Sequence, residues 1–189
     1  MKEKAMPLSP AAPCKPVHMR EVVSSGYRRP DGLWDIEARM TDRKGYVVQN
    51  DYRRVAGGGL FHDMSIRVTI DDALLIRGVE ACIDAAPHRI CPSIAPNYRG
   101  LVGLRIEEGF GRELRQRLGG VQGCTHLNEL FTQLATTAIQ TVRPLQGAPE
   151  PVQLPPIDTC HALAATGDVV ARYWPRMHRS PNEPALAAP

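Results

Sequence analysis

The chain has no apolar run long enough to span a bilayer. Its opening stretch, MKEKAMPLSPAAPCKP, carries charge but lacks the apolar core of a secretory signal. A cytoplasmic protein with no membrane partner is the expectation. Aromatic residues are scarce, at 5%, which argues against stacking platforms for single-stranded nucleic acid. An excess of one charge sign is missing as well. The formal net charge is +3, with basic residues scattered among acids, so no concentrated basic face for nucleic acid is expected. The cysteines are five, an odd number without tight spacing, which fits reduced thiols better than a disulfide framework. No paired CxxC motif is present, so the strongest sequence signature of a zinc site is absent. Cys14 lies in a Pro/Ala-rich stretch and reads as inert.

What is present is an ordinary globular composition, 43% hydrophobic and 23% charged over 189 residues. That is enough chain for one domain with a real core. The expected organisation is a disordered tail over 1–19, a single α+β domain over 20–175 and a second disordered tail over 176–189. Self-association into a homo-oligomer is compatible with it. Apolar-polar alternation punctuated by Pro-Asp-Gly and Arg-Lys-Gly predicts antiparallel strands near 20–27, 33–41 and 45–50. Along LWDIEARM, Trp34, Ile36, Ala38 and Met40 share the face expected to meet the core. After the flexible turn VAGGGLF, a second hairpin is read in MSIRVTI, DDA and LLIRGVEACI. Cys82 falls inside its apolar second strand and reads as a small buried hydrophobe.

Three prolines in DAAPHRICPSIAPN then break the sheet, and a helical block follows. APNYRGLVGLRI and GFGRELRQRLGG are expected as helices, the latter stopped by its glycine pair. THLNELFTQLATTAIQTV is the strongest helix, opened by Thr125 with Asn128 and Glu129. Leu127, Leu130, Phe131, Leu134, Ala138 and Ile139 form its buried stripe. A short turn and strand are expected within DTCHALAATGDVVARYWP.

Residues with metal-ligand chemistry are His62, Asp63, Cys91, Cys124 and His126. His62 and Asp63 are neighbours in a strand-like segment, so their side chains point to opposite faces unless a bulge turns one of them. Cys91 lies in a loop, and Cys124 stands just before a helix, where the dipole favours a thiolate. Their plain alternative is packing, as for most free cysteines. For His126 it is a helix-start residue bonded to nearby backbone. A second option is a nucleophilic Cys124 activated by a histidine. His62 suits that role better than His126, because residues two apart on a helix point in different directions. Arg28 and Arg29, beside a turn, match a clamp for a substrate carboxylate or phosphate. The alternative pairs them with Asp31, Asp35 or Glu37 on the surface.

Four segments resemble an uncharacterised bacterial family, domain of unknown function 2889. They are GYRRPDGLWDIEARMTD, FHDMSIRVTIDD, IDAAPHRICPSIAPNYRGLVGLRI and LGGVQGCTHLNELFTQLATTAIQT, and the late pieces DTCHAL and VVARYWP belong to the same resemblance. The resemblance covers about Arg20 to Pro175. It implies a bacterial protein, suspected of serving aromatic-compound catabolism, and no established activity. The order of hairpin, cysteine loop, helices and a cysteine opening the last long helix is also similar to U-type iron-sulfur scaffolds. That likeness places HDM where the scaffolds carry Cys-Gly-Asp, with His62 or Asp63 as a ligand. It places Cys91 and Cys124 at the second and third cysteines, and His126 near the third. The missing first thiolate makes the set harder, suited to one divalent zinc or iron ion rather than a cluster.

The expected function is therefore a metal-dependent enzyme of lyase or hydrolase type acting on a small carboxylate or carbonyl compound, aromatic ones included. His126 and Asp63 are its candidate catalytic residues, and Arg28 and Arg29 bind substrate. The alternative is a non-catalytic metal-binding accessory or scaffold protein that docks to a catabolic enzyme.

Overall fold

Alternation along the first strands predicts a sheet with one face buried, and that is how the chain folds. The computed structural model describes Ser9, residues 12–145 and residues 157–180. The larger part of both expected tails, 1–19 and 176–189, lies outside the described residues. The chain forms two compact units, Met1–Gln146 and Gly147–Pro189.

In the first unit, β1 (His18–Arg28), β2 (Trp34–Lys44), β5 (Leu60–Ile70) and β6 (Ile76–Ala85) form one antiparallel sheet in the order β1-β2-β5-β6. Trp34, Ile36, Ala38 and Met40 of β2 are buried, as are Met64, Ile66, Val68 and Ile70 of β5. The period-2 pattern puts these two sets on the same face. A helical layer covers it: a 3₁₀ segment (Cys91–Leu101), α1 (Phe110–Leu118) and α2 (Thr125–Val142). The fold is α+β, strands first and helices after.

The expected strand over 45–50 shrinks to β3 (Val48–Gln49), which pairs with β4 (Arg54–Val55) in a separate ribbon between β2 and β5. Just past the end of β2, Gly45 passes tightly against the backbone at Pro16, where a Cβ would lie 2.2 Å from the carbonyl oxygen. APNYRGLVGLRI is not an α-helix. The 3₁₀ segment ends at Leu101, and the chain beyond it bonds to the β5–β6 turn through Gly103 N–H to Ile76 O and Ile76 N–H to Leu104 O. Cys82 is exposed rather than buried. It pairs across the sheet with Ser65 on the outer face, and its thiol meets the Asp84 carboxylate at 3.1 Å.

α2 spans the predicted residues, and Leu127, Leu130, Phe131, Leu134, Ala138 and Val142 are its buried stripe, with Ile139 packed at the margin. It lies across β1, β2 and β5. Its N-terminal half meets β1 at Arg20, where Nη1 lies 2.7 Å from Glu129, and its C-terminal end meets β1 at Gly26, against Thr141.

In the second unit, considered by itself, Asp158 ties the loop together. Its carboxylate accepts from the Ala165 amide and pairs with Arg179. Where a short turn and strand are expected within DTCHALAATGDVVARYWP, His161–Leu163 form a 3₁₀ turn and Asp168–Tyr173 a short helix, α3.

Candidate metal centre

At the core-facing register of β2, the alternation that buries Trp34 through Met40 continues to Asp42, whose carboxylate is buried. Its cross-strand partner on β5 is His62, at the same register as Met64 and Ile66 and also buried. A register shift follows, between Asp42 and Arg43. His126, in the first turn of α2, reaches the same place from the helical layer, its ring centroid 4.2 Å from that of His62. Asp42, His62 and His126 each present one ligand atom, and these atoms lie within 4.8 Å of one another. Among the described residues this is the one such convergence of three or more His, Cys, Asp or Glu side chains.

Asp42 is the hub. Arg20 of β1 grips it with two donors, Nε to Oδ1 at 2.8 Å and Nη2 to Oδ2 at 2.9 Å. His62 Nδ1 lies 2.7 Å from Oδ2, and His18 Nε2 lies 3.4 Å from Oδ1. Burial pushes the Asp42 carboxyl up, but the hydrogen bonds from Arg20 and His62 outweigh it and hold it at about 2. An ionised carboxylate only accepts, so the His62 Nδ1 carries the proton of that bond. Burial draws the His62 pKa below its ordinary value, opposed by the Asp42 hydrogen bond and reinforced by His126 and Arg20. A neutral ring with its proton on Nδ1 leaves a lone pair on Nε2. Carboxylate-held imidazoles of this kind are the usual metal ligands, the carboxylate fixing tautomer and orientation.

The start of α2 is fixed from outside. The buried Tyr98 hydroxyl donates to Asn128 Oδ1 at 2.7 Å and accepts from the Cys124 amide at 3.0 Å. Asn128 in turn donates to the Leu118 carbonyl at 2.7 Å. These bonds connect the 3₁₀ segment, the end of α1 and the first turn of α2, which carries His126.

Of the residues singled out by sequence, His62 and His126 come together. Asp63 points to the opposite face of β5, where Arg39 holds its carboxylate at 2.8 and 2.7 Å. The adjacent bulge does not turn it inward. Cys91 opens the 3₁₀ segment and Cys124 caps α2 without a side-chain bond; both are partly buried against the core and stand outside the cluster. Arg28 lies over the Trp34 ring, and Arg29 pairs with Asp31 and Asp35. Eight residues of extended strand, roughly 26 Å, separate Arg28 from Arg20. Cys160 and His161 are exposed in the second unit.

Asp42 and Arg20 were not singled out by sequence, and Glu129 only as part of the helix start, not as a site residue. For Asp42 a signal exists: a charged residue at the core-facing parity of a strand needs partners when buried. Among the described residues no helix is long and apolar enough to cross a membrane. No curated protein and no solved structure matches the chain. A family model does match, over residues 18–140, and the chain belongs to that family, described as Protein of unknown function (DUF2889).

Proposed function

We propose that the chain is a metal-dependent enzyme that holds one divalent ion, zinc or iron, at His62 and His126, and acts on a small carboxylate or carbonyl compound by a lyase or hydrolase type of reaction. The observation that carries this reading is the convergence of Asp42, His62 and His126 within 4.8 Å. Imidazole suits both zinc and iron. The ion would supply Lewis-acid polarisation of a carbonyl or activation of a water. Asp42 keeps His62 in the tautomer with a free Nε2, and Arg20 keeps Asp42 ionised. His126 borders a groove of about 340 Å³ between β1 and α2, which offers room for a small compound.

The test is chelation followed by metal analysis, circular dichroism and a turnover screen on small carboxylates and carbonyl compounds. Protein that stays folded and loses turnover reversibly supports the enzyme. Turnover that survives complete metal removal contradicts it. A second reading is favoured by the full occupancy of Asp42 by Arg20 and His62: a non-catalytic accessory protein whose metal fastens α2 to the sheet. Unfolding on chelation, with no turnover before it, supports that alternative.

A further inference from the structure

The groove beside His126 has a chemical character of its own. Its walls include Arg20, Val22 and Met40 from the sheet, and His126, Glu129 and Leu130 from α2. Arg20 divides its donors between two carboxylates of different standing. Nε and Nη2 are fixed on Asp42, whose side chain is 2% exposed. Nη1 meets Glu129 at 2.7 Å, and that side chain is 55% exposed. The inner pair belongs to the core, whereas an exposed pair of this kind is weak and open to exchange with solvent ions. With Nε and Nη2 held by Asp42, Nη1 is the nitrogen left to the groove, and a carboxylate accepts a charge-assisted hydrogen bond from it. Beside this donor, exposed Val22 offers apolar surface, with Met40 and Leu130 buried behind the groove. The volume lies at the small end of ligand pockets.

We propose that this groove is a carboxylate-binding subsite for a small monocarboxylate with a compact apolar body, and that Glu129 occupies the carboxylate position on Arg20 until the ligand displaces it. The assignment rests on the reading of the neighbouring cluster as a metal centre for its catalytic meaning. The binding itself depends only on Arg20, Glu129 and the apolar wall. An incoming carboxylate takes Nη1, its apolar body lies on Val22, and its other end is directed toward His126. Glu129 swings into solvent.

The experiment is a titration of isovalerate and of its neutral amide into the full chain, followed by amide NMR, for the wild type and Glu129→Gln. Both proteins are measured metal-free and after loading with zinc. Glu129→Gln removes the competing charge at an exposed site and keeps the side-chain size. Isovalerate is expected to bind the variant roughly two- to fivefold more tightly than the wild type, the range an exposed ion pair corresponds to. The amide is expected to show no gain, and the perturbed resonances are expected around residues 20–22 and 126–133. Equal or weaker isovalerate affinity in folded Glu129→Gln overturns the proposal, as do an equal gain for the amide and perturbations elsewhere on the molecule. Tighter isovalerate binding in metal-free protein that takes up no zinc upholds the subsite and removes the metal centre. Zinc uptake without isovalerate in the groove does the reverse.

Discussion

Asp42 and His62 make the molecule sensitive to acid in two separate ranges. The His62 pKa is lowered by folding from 6.5, so the unfolded chain takes up that proton first. Its contribution to stability is complete above about pH 6.5 and is lost as pH falls from there through the folded value. Asp42 is held at about 2 against 3.8 unfolded. Its contribution, roughly 2 kcal/mol, is complete above 3.8 and is lost as pH falls toward 2. Urea midpoints of metal-free protein followed from about pH 8 to 5 should fall, and His62→Gln should flatten that decline. An unchanged decline in the variant would place its origin elsewhere. Asp42→Asn leaves Arg20 without its buried counter-charge and should cost about 3 kcal/mol. It should also weaken metal binding roughly ten- to hundredfold by freeing the His62 ring, as measured by competitive metal titration. His62 was legible from its residue type, whereas Asp42 was missed because the expected strand ended at 41 and β2 runs on to Lys44. The gathering of these two with His126 was not legible, because it depends on where a much later helix, α2, lands on the sheet.

At the scale of elements, the position of α2 is set by contacts at both ends. A Cβ on Gly26 would lie 2.0 Å from Thr141 Oγ1, so this close approach requires glycine. Gly26→Ala should destabilise by about 1–3 kcal/mol through overpacking, and Thr141→Ala should recover part of the loss in the double variant. Additive losses would show that the two residues do not meet. At the other end, Tyr98→Phe leaves the Cys124 amide and Asn128 without their hydroxyl partner. A cost of about 1–3 kcal/mol is expected, with faster amide exchange confined to the first turns of α2. Uniform exchange across the helix would contradict that local role. Strand and helix alternation made β2, β5 and α2 legible. It failed over 95–106, where apolar spacing resembles a helix but Pro96 sits within a 3₁₀ segment and the residues beyond it bond to the β5–β6 turn. Cys82 was misplaced for a related reason: an apolar run in β6 does not reveal which parity faces the core.

For the whole molecule, sheet order places β2 between β1 and β5, so that residues 20, 42 and 62 meet at one end of the buried face, under the start of α2. The two cysteines that looked most like ligands are packed against the core and do not converge with the cluster. The proposed metal centre stands or falls with the histidines holding an ion. Elemental analysis of protein purified without chelators, and again after anaerobic reconstitution with zinc or iron, tests this directly. The proteins to compare are the wild type, His62→Ala, His126→Ala and the Cys91→Ser, Cys124→Ser double variant. About one equivalent of metal is expected in the wild type and the cysteine variant, with loss of it in both folded histidine variants. Metal retained without the histidines, metal lost with the cysteines, or no metal in the reconstituted wild type would contradict a centre built on His62 and His126.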